Sequence, residues 1–143
     1  MKVIFLDVDG VLNTHKLISK FGHDFIDDIL VALVARIVRE TEAKIVLSST
    51  WRKYEKDKNL VSAALAPHEL ELFDSTPIID RRTDNSWSMR SDEIQDWINK
   101  NPVEKFAIID DDFDANIEGS FFQTDENLGI TVEIAERIIE HLR

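Results

Sequence analysis

Lys2-Val3-Ile4-Phe5-Leu6-Asp7-Val8-Asp9-Gly10-Val11-Leu12-Asn13 decides how the chain is read. Four apolar residues run straight into two aspartates separated by one valine, and a glycine follows. An apolar run of this length that stops at a turn residue predicts a buried strand. Asp7 and Asp9 then sit at the carboxyl end of that strand, where open α/β sheets collect their ligands. Side chains alternate along a strand. The chain leaves it at Gly10, however, so both carboxylates are able to face one site. Two acids this close repel each other unless a cation or a shared proton intervenes. The pair therefore points to a divalent metal, a carboxylate nucleophile, or both.

Outward from this stretch the chain alternates between two kinds of segment. Thr14 to His23 is polar with a glycine and reads as a loop or short hairpin. Asp24 to Glu40 has helical apolar spacing, with Asp24 as N-cap and Asp27 in the first turn. Lys44 to Ser48 is a second apolar strand, ending in Ser48-Ser49-Thr50. Asn59 to Phe73 reads as helix, interrupted or restarted near Pro67, and Pro77 to Asp80 as a short strand. Arg81 to Met89 is polar loop, and Ser91 caps a helix that Pro102 closes. Phe106 to Asp110 is a third clear strand, Phe121 to Gln123 a weak fourth, and Thr131 starts a final amphipathic helix. Strands alternating with helices predict parallel pairing with right-handed crossovers. The strand ends then gather Asp7 and Asp9, Ser49 and Thr50, and Asp110 and Asp111 on one edge. Three separate segments supply this polar convergence, which marks a candidate active site.

Composition bounds the function. With 143 residues the chain fits one domain, residues 1–143, with a real core. A net charge of −11 argues against a general electrostatic grip on nucleic acid, since phosphate contacts need Lys and Arg. Arg52, Lys53, Lys56, Lys58, Arg81 and Arg82 still offer a local basic rim. The absence of cysteine excludes disulfides and thiolate metal sites. Asp7 and Asp9 cut the first apolar stretch too short for a signal peptide, and Ile29 to Ala35 is too short to span a bilayer. These features predict a cytoplasmic protein with no membrane partner. Among the tryptophans, Trp97 falls at core spacing on its helix, Trp87 lies in a polar loop within reach of substrate, and Trp51 is balanced between core and substrate. The histidines have no metal-like spacing.

In order along the chain, Asp7-Val8-Asp9-Gly10-Val11, Ser49, Arg90 and Asp110-Asp111 resemble the four motifs of the haloacid dehalogenase (HAD) superfamily of phosphotransferases. Ser48 and Thr50 are off-by-one alternatives for the second motif, Lys53, Arg81 and Arg82 compete with Arg90 for the third, and Asp114 gives another spacing for the fourth. Leu47 to Arg52, Arg90 to Ile98, and Gln123 to Thr131 look more narrowly like the small capless members found in RNA-repair and polynucleotide phosphatase proteins. The resemblance implies a three-layer, Rossmann-like α/β domain with a mainly parallel sheet, helices on both faces and no large cap.

It also implies a chemistry. Asp7 is the nucleophile that forms an aspartyl-phosphate. Asp9 protonates the leaving oxygen and then deprotonates water. Mg2+ is the cofactor, held by Asp7, the Asp9 backbone carbonyl and Asp111, with Asp110 ligating through water or orienting its neighbours. Ser49, the Thr50 N–H, the backbone near Gly10, and Arg90 hold phosphate oxygens. A capless site suits a phosphorylated RNA or DNA end or a nucleotide, and a small phosphometabolite is the competing substrate. Receiver domains, phosphoacceptors that do not turn over, use similar groups. They carry the acidic pair on the first strand, which is the reverse of the order found in this chain.

Overall fold

The computed structural model describes residues 1–79 and 89–143. Along the chain the strands are β1 (Lys2–Leu6), β2 (Lys44–Leu47), β3 (Leu72–Ser75), β4 (Lys105–Asp110) and β5 (Phe121–Gln123). The helices are α1 (His15–Phe21), α2 (Asp28–Thr41), α3 (Glu55–Leu65), α4 (Arg90–Asn99) and α5 (Val132–Leu142). The strands form one parallel sheet in the order β3-β2-β1-β4-β5. This is the Rossmann-like α/β fold that the sequence predicts.

The central strand explains its own composition. Val3, Ile4, Phe5 and Leu6 are all fully buried, because both faces of the sheet are covered. Ile4 and Leu6 point into the larger core, with Val31 and Val34 of α2, Val61 and Leu65 of α3, and Ile138 of α5. Val3 and Phe5 point into a second core with Ile94 and Trp97 of α4. Three layers follow from that alternation.

Chain direction then positions the site. From β1 the chain builds outward through β2 to β3, and afterwards returns to the other side of β1 as β4 and β5. The order reverses between β1 and β4, so a crevice opens beyond their carboxyl ends. Asp7 follows β1 and Asp110 ends β4, and the two strands pair directly, Leu6 opposite Ile109.

Several local expectations change. The segment read as a loop after β1 contains α1, capped by Thr14, whose Oγ1 accepts from the Leu17 N–H; none of its residues is buried. α2 starts at Asp28, not near Asp24, because Asp27 is the cap and its N–H pairs with the Leu12 carbonyl. The helix expected over Asn59 to Phe73 ends at Leu65; a 3-10 turn carries Pro67, and Glu69 turns left-handed (φ 60°) into β3. The edge strand is therefore Leu72–Ser75 and not the segment beginning at Pro77. Met89, not Ser91, precedes α4 as its N-cap. Asp80 of the proposed strand, the loop from Arg81, Arg81 and Arg82 of the proposed rim, and Trp87 lie outside the described residues.

Candidate active site

The turn after β1 is over-determined. The Asp7 N–H continues the ladder to the Ile109 carbonyl (3.1 Å), and the Val8 carbonyl accepts from Val11 and Leu12. Asn13, fully buried, closes the turn from within: its Oδ1 accepts from the Gly10 N–H (2.9 Å), and its Nδ2 donates to Asp9 Oδ1 (3.0 Å) and the Phe25 carbonyl (3.2 Å). Thr124 donates its hydroxyl to the Gly10 carbonyl (2.7 Å) from the far end of the chain. Gly10 has φ +78°, and a Cβ there would lie 2.3 Å from Asp111 Oδ2. Only glycine satisfies both the turn and that close approach.

Strand alternation selects what faces the crevice. Phe5, Val46 and Ile108 belong to the core on the α4 side. Two residues further along each strand come Asp7, Ser48 and Asp110. Carboxylate oxygens of Asp7, Asp110 and Asp111 lie within 4.8 Å of one another. Asp7 is 9% exposed and Asp110 2%. Burial pushes Asp7 well above the usual carboxylate range, and the neighbouring Asp110 charge adds to this. Burial also drives Asp110 up to about 7, against the Asp112 N–H that donates to its Oδ1 (2.9 Å). As a set of anions these groups are unstable together; a proton or a cation relieves them. Three oxygen donors, with Gly10 leaving room for Asp111, fit a hard divalent cation.

The residues after β2 divide their work. Ser49 caps the 3-10 helix Thr50–Lys53, its Oγ accepting from the Trp51 N–H (3.2 Å), and Thr50 is exposed beside it. Ser48 Oγ is buried and has no hydrogen-bond partner among the described residues. Arg52 is not part of a rim: its side chain is 1% exposed. It donates to the carbonyls of Ser48, Ser49, Thr76 and Pro77, and to Glu93 Oε2 at 2.7 Å. Burial lowers the Arg52 pKa, and the Arg90 charge lowers it further. Arg90, at the start of α4, contacts Glu93 Oε1 at 3.4 Å, and its charge is felt by Asp110. Glu93 thus ties two guanidinium groups to the ends of β2 and β3.

The family model for the HAD domain in Swiss Army Knife RNA repair proteins matches residues 3–135. The chain belongs to this family. No curated protein and no solved structure matches the chain significantly. In this HAD domain the first motif, the strand-end hydroxyls, Arg90 and the Asp110-Asp111 pair come from four segments. Asp7, Asp110 and Asp111 meet directly.

Other sequence candidates fall elsewhere. Asp112 Oδ1 accepts from the Asp114 N–H (3.0 Å), the cap of the 3-10 helix Phe113–Ala115. Trp97 is a core residue, edge-on to Phe5, with its indole N–H on Asp74 Oδ2 (2.8 Å). Lys56 pairs with Asp24 (3.8 Å) at the surface. A cavity of about 330 Å³ opens beside Asp9, with Gly10, Asp111, Trp51, Ile18 and His15 in its walls. Sequence reasoning missed Asn13, Glu93 and the link from Trp51 to Asp9. Asn13 carried a usable signal, an Asn three residues after a turn glycine. The other two are contacts between positions about forty apart and carried none. Among the described residues no helix is long and apolar enough to cross a membrane.

Proposed function

We propose that residues 1–143 act as one Mg2+-dependent phosphatase domain that removes a phosphate monoester, in an RNA-repair setting the phosphate at a nucleic-acid end. The observation that carries this reading is the meeting of Asp7, Asp110 and Asp111 at the β1/β4 switch point, within 4.8 Å and largely out of water. Family membership supports phosphatase-type chemistry in that setting.

Asp7 attacks phosphorus, the bond to the ester oxygen breaks, and the phosphoryl group rests on the Asp7 carboxylate. Asp9 gives its proton to the departing oxygen. Water then attacks the acyl phosphate, Asp9 takes a proton back, and inorganic phosphate leaves with Asp7 restored. Asp7, Asp110 and Asp111, with the Asp9 carbonyl, would hold Mg2+. When bound, the ion offsets the repulsion between the carboxylates and the phosphate. Arg90 supplies positive charge from α4. Thr50 and Ser49 offer the backbone and hydroxyl donors expected from the motif. Ser48 Oγ, on the same strand face as Asp7 and without a partner among the described residues, is a further donor for a phosphate oxygen.

One observation favours a smaller substrate. The cavity beside Asp9 is also lined by Asp24, Asp57 and Glu126, and no Lys or Arg is among its described lining residues. A polyanionic strand is repelled there, whereas an uncharged leaving group is not. Phosphate release with Mg2+ from 5′- and 3′-phosphorylated RNA and DNA, nucleoside monophosphates and an aryl phosphate tests both readings. Metal-dependent turnover lost in Asp7→Asn is the expected result. The preferred ester decides the substrate, and metal-independent release or full activity in Asp7→Asn overturns the reading.

A further inference from the structure

Asp9 is exposed, yet both its oxygens are held. Asn13 Nδ2 donates to Oδ1 (3.0 Å), and Trp51 Nε1 donates to Oδ2 (3.1 Å). The two anchors differ in kind. Asn13 belongs to the same turn, and its remaining groups are spent on Gly10 and Phe25. Trp51 reaches across from the end of β2, 42 residues away. Its ring is 7% exposed and sits in the larger core, so the indole is fixed by packing while its polar edge meets the acid. Trp51 and Asp9 both line the cavity, which puts this hydrogen bond in the cavity wall.

We infer that Trp51 is a positioning residue for proton delivery by Asp9 to the leaving oxygen. The inference rests on the phosphatase reading above. A carboxyl group offers about four lone-pair sites. Asn13 and Trp51 occupy one on each oxygen and so fix the plane of the carboxyl group in the cavity wall, leaving its other sites for the exchange with the leaving oxygen. Without the indole N–H, the carboxyl turns about its bond to Cβ and spends less time in the delivering orientation. The cost falls on substrates whose leaving oxygen needs a proton. An alkoxide from a sugar ester needs one; nitrophenolate is stable without it. A tryptophan that only filled the core would, when altered, slow both esters alike.

The test compares wild type, Trp51→Phe, and the protein carrying benzothienylalanine at position 51, which keeps the ring shape and removes only the N–H. For each, kcat/KM is measured on p-nitrophenyl phosphate and on the nucleoside monophosphate or phosphorylated oligonucleotide that wild type cleaves fastest. kcat/KM reports the step in which the leaving group departs, before the acyl phosphate is hydrolysed. The ratio of sugar ester to aryl ester is expected to fall about tenfold or more in both variants, as for loss of one hydrogen bond to a group that becomes charged as its proton departs. An unchanged ratio overturns the inference while leaving the phosphatase reading intact. Absence of Asp7-dependent turnover in wild type overturns both. If Trp51→Phe does not fold, the benzothienylalanine protein alone decides.

Discussion

Glu93→Gln is expected to destabilise the protein sharply although it alters one atom. Arg52 is a buried cation whose only described acidic partner at contact distance is Glu93 Oε2, 2.7 Å away, with side chains 1% and 9% exposed. Glu93 also accepts from the Ile79 N–H (3.1 Å) and from Arg90. Removing one partner of a buried pair costs about 3–5 kcal/mol, because the other charge stays behind unpaired. Arg52 keeps four carbonyl acceptors, and the glutamine oxygen replaces one acceptor, which places the loss near the lower end, about 3 kcal/mol. For a chain of this size that lowers the melting temperature by roughly 10 °C. Urea and thermal unfolding followed by tryptophan fluorescence and circular dichroism would measure it. A loss below about 1 kcal/mol, the value of an exposed ion pair, would refute the reasoning. Phosphate release should fall with stability, because the same carboxylate steadies Arg90 at the head of α4.

Two further perturbations address the turn and the acidic cluster. Gly10→Ala puts a Cβ 2.3 Å from Asp111 Oδ2 at φ +78°, so it should cost about 1–3 kcal/mol and reduce Mg2+ affinity together with turnover, read by unfolding and by calorimetric titration of the metal. Asp110 titrates near 7 in the fold against 3.8 ordinarily, so the folded state keeps a proton that the unfolded state releases across that window. Without metal, its contribution to stability is therefore present at low pH and lost as pH rises from about 4 to about 7. Asp110→Asn should accordingly stabilise the metal-free protein at pH 8, change it little below about pH 4, and weaken the stabilisation that wild type gains from Mg2+ at pH 8. Paired melts with and without Mg2+ check all three, and an Asp110→Asn protein less stable than wild type at pH 8 without metal would contradict them.

Legibility in the sequence followed burial. β1, β2 and β4 are covered on both faces, so they appear as unbroken apolar runs ending in polar residues, and the acids after β1 and β4 and the hydroxyls after β2 could be named directly. β3 is an edge strand with Phe73 and Asp74 exposed, and its first two residues, Leu72 and Phe73, merge into the apolar spacing read as helix up to Phe73, without an alternation of their own. α1 buries none of its residues, so only the Thr14 cap announces it, and hydrophobic periodicity has nothing to report. Asp24 and Asp27 are both good caps, and what selects Asp27 is a backbone contact to Leu12 formed only in the fold. The candidate site divides in the same way. Acids at strand ends follow from local pattern, whereas the Arg52–Glu93 pair and the Trp51–Asp9 hydrogen bond depend on which helix start packs against which strand end.

The covalent step is the central claim, and it is open to direct observation. The protein would be mixed with Mg2+ and its preferred phosphate ester, quenched in acid within milliseconds to seconds, digested, and the peptide bearing Asp7 weighed. A phosphoryl group on Asp7 that builds before phosphate is released, is removed by hydroxylamine and is missing in Asp7→Asn is the predicted result. Steady phosphate release with no phosphorylated aspartate at any time would contradict the account, leaving a direct attack by water in its place.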